Sequence, residues 1–305
     1  MDTIFGAMTW ELDPTIINIG SHGIRYYGVI FATGILLGYW FWKKQMARAG
    51  HDEEIADKFL VWGVLAVLIG SRLGHCLFYE PEYYLSHPWK ILEVWKGGLA
   101  SHGATIGLLF TIFLYARLYK FNYMEIMDRF AMSATMGAIF VRLGNFMNSE
   151  IVGKEWDGLF AVKFPRYALM NLSQYNNHNT PRLAWDGINA LARHPSQLYE
   201  ALGAFLVFVA IYLVDWRYKE ERPRGLLAGM FLVGYFSFRF VVEFFKEFQS
   251  LAKLSPDAAE KVIHVLPTSG FTMGQYLSIP FVVLGLYIIV DALRKKRPAS
   301  EKRGA

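Results

Sequence analysis

Seven stretches of this 305-residue chain are long and apolar enough to approach the ~20 residues that a helix needs to cross a bilayer. They are Tyr26–Trp42, Phe59–Tyr79, Leu99–Leu118, Glu125–Phe146, Leu198–Val214, Leu226–Phe245 and Gln275–Leu293. No other feature constrains the fold as much. Hydrocarbon offers no hydrogen bonds, so each spanning segment must pair its own backbone groups, and a helix does so. Composition agrees: 54% of residues are apolar and only 19% charged, against about a quarter in soluble domains. The expected fold is an all-α integral membrane protein with seven transmembrane helices, residues 1–305 forming a single transmembrane domain.

Lys and Arg set the orientation. Lys43, Lys44 and Arg48 follow the first stretch, Arg117 and Lys120 the third, Arg217, Lys219, Arg222 and Arg224 the fifth, and Arg294 to Arg297 the seventh. The alternate segments are poorer in basic residues. This pattern predicts an external N-terminus and a cytoplasmic C-terminus. It also accounts for most of the +5 net charge; no basic stripe interleaves with aromatics as a nucleic-acid surface would. On the outer side, Met1–Arg25 reads as an interfacial arm. Glu80–Gly98, with Tyr83, Tyr84, Trp89 and Trp95, reads as a segment at the membrane–water boundary. Ser149–Gln197 is too long for a connector and predicts a small external head. The tail after Arg297 is polar and expected to fray. Met1–Gly20 lacks the basic and apolar regions of a cleavable signal peptide. The one cysteine, Cys76, lies within the second stretch and is expected to be inert packing.

Charged groups within spans usually face a cavity or a partner. Here they are Arg72 and His75 in the second stretch, His102 in the third, Arg142 with Asn145 and Asn148 in the fourth, and Arg239 with Glu243 in the sixth. Singly, each has a structural explanation. Arg239 and Glu243, at i,i+4, share a helix face as an ion pair would; Arg142 and Asn145 suit helix–helix adhesion or snorkelling. Together they suggest more. Even-numbered spans run inside to outside, so Arg142 and Arg239 fall late, toward the outer leaflet. His102 falls early in an odd span, at a similar depth. Arginine presents a planar, permanently charged fork that suits phosphate, and histidine exchanges protons near neutral pH. The combination points to phosphate chemistry on a lipid.

Dense motifs surround these positions: Trp95-Lys96-Gly97-Gly98-Leu99-Ala100-Ser101-His102-Gly103, Arg142-Leu143-Gly144-Asn145-Phe146-Met147-Asn148-Ser149-Glu150 with Gly153 after it, His194-Pro195-Ser196-Gln197-Leu198-Tyr199-Glu200, Gly234-Tyr235 through Arg239 to Glu243, and Gly274-Gln275 with Ser278-Ile279-Pro280. In this order, from Tyr27-Gly28 to Pro280, they resemble prolipoprotein diacylglyceryl transferases. Two positions depart from the family pattern. Ala104 and Thr105 follow Gly103 where the family usually has two glycines after its histidine, and Ser149 stands where glycine is common.

The resemblance implies a seven-span enzyme of the bacterial inner membrane. Its donor would be phosphatidylglycerol and its acceptor the lipobox cysteine of a prolipoprotein signal peptide. The products would be a thioether and glycerol phosphate. The family's functional positions fall on Tyr27, His102, Arg142, Asn145, Glu150, Gly153, Tyr235, Arg239 and Glu243. Arg142 and Arg239 are expected to hold the phosphate, Glu243 to orient Arg239, and Asn145 to donate to the headgroup. Tyr27 and Tyr235 are expected headgroup contacts, and Glu150 and Gly153 are expected to shape the pocket mouth. His102 is the expected general base, with His194 as the alternative; His75 is expected to be structural. No metal or other cofactor is expected, since the histidines are scattered and no nucleotide-binding loop occurs. The alternative function is a phospholipid-binding transporter or flippase, though no paired repeat supports it. An intramembrane zinc protease lacks its His-Glu-x-x-His.

Overall fold

The computed structural model describes residues 7–20, 22–94, 97–167, 191–247 and 270–299. Its elements are β1 (Met8–Thr9), β2 (Thr15–Ile19), β3 (His22–Arg25), α1 (Tyr26–Arg48), α2 (Glu53–Phe78), α3 (Pro81–Ser86), α4 (Ser101–Leu118), α5 (Tyr123–Met147), β4 (Val162–Lys163), β5 (Ala192–Arg193), α6 (Ser196–Tyr218), α7 (Leu226–Val242) and α8 (Met273–Lys295). The seven long helices fall on the seven apolar stretches. By length and apolarity, α2, α5, α6 and α8 qualify as membrane-crossing helices, while α7 is apolar but shorter. The chain is thus a mostly helical, multi-pass membrane protein.

Capping explains several boundaries. Asp52 accepts the Glu54 N–H at 2.9 Å and starts α2 earlier than hydropathy alone suggests. Thr272 and Gln275 form a reciprocal capping box at the start of α8. Past α7, Phe244 and Phe245 bond back three residues, to Val241 and Val242, so the helix tightens and stops short of the expected Phe245.

Short strands accompany the helices. Within Met1–Arg25, β2 and β3 form an antiparallel hairpin, with Thr15 opposite Arg25 and Ile19 opposite His22. The β-branched run Thr15-Ile16-Ile17 favours a strand, and Gly20 turns at φ +61°. The arm is therefore β, and it exposes Ile16, Ile17, Ile19 and Ile24. The predicted head contributes β4 and β5, which join β1 in a three-stranded sheet. Residues 168–190 of that segment, and Trp95 and Lys96, lie outside the described residues.

The chain divides into two compact units. The first comprises Met1–Gly38, Ala134–Tyr212 and Gly229–Tyr287. One small core there joins Trp10, Phe146, Val152, Val162 and Phe164, with Trp10 and Phe146 ring centroids 4.5 Å apart. Its helices pack through glycines. Phe238 of α7 fills the space left by Gly203 of α6, and Val207 of α6 sits over Gly234 of α7. Lipid gives helices no hydrophobic reason to associate, so such close van der Waals contact has to hold them together.

The second unit comprises Tyr39–Ser133, Leu213–Ala228 and Ile288–Ala305. Trp42, Phe59, Tyr115 and Phe121 form its aromatic core. Beside them runs a buried ionic network that the sequence reading did not anticipate. Arg48 grips Asp215 with both terminal nitrogens, at 2.8 and 2.7 Å, and turns Nε to Glu220 at 2.9 Å. Arg129 bonds Glu125 and Glu220, and Arg222 bonds Asp215 at 3.0 Å. Asp128 accepts the Gly225 and Ala228 N–H groups at 2.7 and 2.9 Å, satisfying orphan donors at the start of α7. So part of the basic excess read as loop charge is in fact paired within the fold. The first residues of the tail, Pro298 and Ala299, are ordered against the second unit. Ala299 is fully buried, its N–H bonds to the Glu220 carbonyl, and Arg297 accepts the Arg224 N–H. Residues 300–305 lie outside the described residues.

Candidate active site

The first unit gathers eight of the nine residues singled out from the sequence. At its centre is the C-terminus of α5, which ends in a Schellman motif: Glu150 N–H bonds Asn145 O at 2.9 Å and Ser149 N–H bonds Phe146 O at 3.0 Å. Ser149 occupies the left-handed position, φ +56°, a conformation that glycine adopts without strain. Its buried hydroxyl has no partner among the described residues. We expect Ser149→Gly to stabilise the chain by about 1 kcal/mol. Relief of left-handed strain (~1–2 kcal/mol) outweighs glycine's entropic cost (~0.5–1 kcal/mol). A lowered thermal midpoint in detergent would contradict this.

The turn displays its polar groups inward. Asn145 and Asn148 both donate to the Glu150 carboxylate, at 3.2 and 3.1 Å. The His194–Glu200 motif supports the turn from outside. Gln197 donates to the Glu150 carbonyl at 2.6 Å and Ser196 to the Ile151 carbonyl at 2.9 Å. Gly153 donates to the His194 carbonyl at 2.9 Å, and a Cβ there would lie 2.6 Å from both His194 and the Phe245 carbonyl. The two most distinctive motifs of the sequence thus interlock. Tyr27 lays its ring against Gly144, within electrostatic reach of Glu150 and Arg142.

Arg142, an α5 residue, directs Nε to Glu200 at 2.6 Å and Nη1 to Asn145 at 3.4 Å, and it also interacts with Tyr235. The other Glu200 oxygen meets Lys246 at 3.2 Å, and Lys246 in turn lies 4.0 Å from Glu243. Both Glu200 and Lys246 escaped the sequence reading. Glu200 was visible as a carboxylate within the fifth apolar stretch, inside a motif already noted; Lys246 gave no signal beyond following the sixth.

Burial pushes the Lys246 ammonium below its ordinary pKa. Arg142 and Arg239 press in the same direction, and Glu200 and Glu243 oppose them. Among the described residues Arg239 has no ion pair or hydrogen bond of its side chain. The expected Arg239–Glu243 pair is absent. Although Glu243 N–H still bonds the Arg239 carbonyl, α7 ends at Val242, and the Glu243 carboxylate sits toward Lys246 and against Gly274. Tyr235 stacks on Phe231 at 5.5 Å.

His194 is lodged between Trp156, stacked at 4.8 Å, and Phe245, and its Nδ1 lies 3.2 Å from the Tyr199 hydroxyl. Burial, then Lys154, lowers its pKa. These contacts favour a packing role. His102 belongs to the second unit, exposed in the first turn of α4, with no side-chain hydrogen bond among the described residues. His75, also there, packs against Gly98.

The profile of one protein family, prolipoprotein diacylglyceryl transferase, matches residues 14–291. A relative from Tolumonas auensis, named phosphatidylglycerol–prolipoprotein diacylglyceryl transferase, is 38% identical over 94% of this chain and 98% of its own length. Relatives of the same name from Bacteroides fragilis and Porphyromonas gingivalis are each 36% identical, over 97% and 98% of this chain and 99% of theirs. With a match across nearly its whole length, and with the motifs that interlock in the first unit among the matched residues, the chain belongs to the prolipoprotein diacylglyceryl transferase family.

Proposed function

We propose that the chain transfers the diacylglyceryl group of phosphatidylglycerol to the lipobox cysteine thiol of a prolipoprotein. The names of its relatives support this. So does one observation: Glu200 holds Arg142 at 2.6 Å and Lys246 at 3.2 Å, while Arg239, in the same unit, has no carboxylate partner among the described residues. A half-buried guanidinium with no carboxylate partner among the described residues suits an anionic headgroup.

The thiolate attacks the glycerol carbon, forming the thioether C–S bond. The C–O bond to phosphate breaks, and its electron pair leaves with glycerol phosphate. The thiol proton goes to a base, because the thiolate is the nucleophile. The phosphate passes from one negative charge toward two. Arg239 meets the developing charge, and Arg142, held by Glu200, presents its remaining N–H groups. Asn145 adds a neutral donor, with Tyr27 and Tyr235 as further headgroup contacts. Glu150 and Gly153 support the mouth. Glu243 tempers Lys246 and takes no part in orienting Arg239.

We assign His102 as general base, on the resemblance and on its exposed imidazole. His102→Gln should lower turnover at least 100-fold at neutral pH, within the usual range for general-base loss (about 10²–10⁴). It should also flatten the rise of rate with pH. Near-wild-type turnover at pH 7 would reject the assignment. The topology we propose is seven spans with the N-terminus outside, the site toward the outer leaflet of the bacterial inner membrane, and residues 149–197 as an external head. The whole reading is tested in proteoliposomes containing phosphatidylglycerol and a lipobox peptide. Mass spectrometry should find the peptide heavier by one diacylglyceryl group; unmodified peptide after prolonged incubation would refute transfer.

A further inference from the structure

Arg72 is only 3% exposed, lies within the apolar helix α2, and has no carboxylate partner among the described residues. A guanidinium buried in a span without a counter-ion is costly. Its N–H groups are spent on backbone carbonyls. Nε donates to Ile91 O at 2.9 Å, Nη2 to Lys90 O at 2.5 Å, and Nη1 to Gly97 O at 2.6 Å and Gly98 O at 3.4 Å. The guanidinium also lies over the Tyr84 ring at 4.9 Å. One side chain thus ties the segment before α4 to α2 at two places.

The tie continues to the start of α4. Gly98, at φ +70°, packs so closely that a Cβ would lie 2.5 Å from the His75 ring and 2.9 Å from Arg72 Nη1. Ala100 N–H donates to the Ser71 carbonyl at 2.9 Å. Ala100 is the N-cap of α4 but offers no side-chain cap, so nothing local fixes that end. Next comes a glycine seam. Gly70-x-x-x-Gly74 of α2 faces Gly103-x-x-x-Gly107 of α4, and a Cβ on Gly74 would lie 2.7 Å from Gly103 Cα. His102 sits between Ala100, pinned to Ser71, and Gly103, seated in the seam.

We infer that Arg72 is a positioning residue for His102, through four carbonyl bonds that fix the segment leading into α4. This rests on the proposal that His102 is the base. Arg72 touches no substrate; it sets where the imidazole is presented. Misplacement of a reacting group by about 1 Å can cost on the order of 10²-fold in rate, so the expected effect is on kcat.

The full-length chain in phosphatidylglycerol proteoliposomes provides the test. Arg72→Met should lower kcat about 100-fold with KM for lipid and peptide within two-fold of wild type. Arg72→Lys, which keeps a donor and the charge, should recover at least ten-fold of that loss. Gly98→Ala disturbs the same clamp without removing Arg72 and should lower kcat comparably. In the His102→Gln background, Arg72→Met should cost less than two-fold more. An undiminished loss in that background would overturn the positioning role while leaving His102 as base. Full turnover by His102→Gln alone would instead overturn the base assignment, and this inference with it. If His102→Gln shows no measurable rate, the rate of carbethoxylation of His102 at one fixed pH, read by mass spectrometry, replaces the cycle. Arg72→Met should change that rate and Arg72→Lys should largely restore it; an unchanged rate in Arg72→Met would overturn the inference.

Discussion

Arg239→Lys should lower turnover by about 10²–10³-fold, the usual cost of losing a preorganised donor to developing charge, while leaving the fold intact. The charge is conserved, but the fork is not: lysine is a point charge and cannot bond two phosphate oxygens in one plane. Arg239 has no partner to lose among the described residues, so stability should change little. The measurement is kcat with phosphatidylglycerol alongside thermal unfolding of the same sample. Turnover within three-fold of wild type would show that Arg239 does not grip phosphate bidentately. A matching collapse of stability would show that it serves the fold instead.

Glu200→Leu carries the second large effect, this one on stability as well as rate. Glu200 is 5% exposed at its side chain and bridges Arg142 and Lys246, which are 12% and 10% exposed. Removing it leaves two buried cations facing one another, and breaking such a pair from one side typically costs about 3–5 kcal/mol. The thermal midpoint should fall by several degrees, and activity should drop as Arg142 loses the carboxylate that aims it. Adding Lys246→Met removes one stranded cation and should restore much of the stability, with less recovery of activity. If Glu200→Leu unfolds within 1 °C of wild type, the bridge is not a structural element and Arg142 is aimed by something else.

The outcome of the sequence reading can be followed residue by residue. The helices were legible because a spanning segment announces itself locally, through a run of apolar residues. The Schellman turn was half legible: the motif from Arg142 to Glu150 marked the place, but the left-handed φ at Ser149 emerged only from the structure. The Arg239–Glu243 pair was misread because i,i+4 spacing predicts a shared face only while the helix continues, and α7 stops at Val242. Lys246 was invisible, since its partner Glu200 stands far away in the chain and no local pattern signals that meeting. The ionic network of Arg48, Arg129, Asp215, Glu220 and Arg222 was missed for the same reason. Its basic members looked like the loop charges that set orientation. The β-hairpin in the N-terminal arm was overlooked because hydropathy weighs isoleucine equally in strand and interfacial helix.

By itself, the sequence determined that the chain lives in a bilayer as a set of apolar helices, and which polar residues those helices must carry. Both are consequences of local composition, which each segment obeys regardless of its neighbours. Only the tertiary structure decided which charges are spent on one another and which are left over: Arg142 on Glu200, Arg72 on four carbonyls, and Arg239 on none of the described residues. Charge pairing depends on distances between helices that are remote in sequence, and in a medium that hydrates no ion, that accounting separates a guanidinium spent on the fold from one with no such partner.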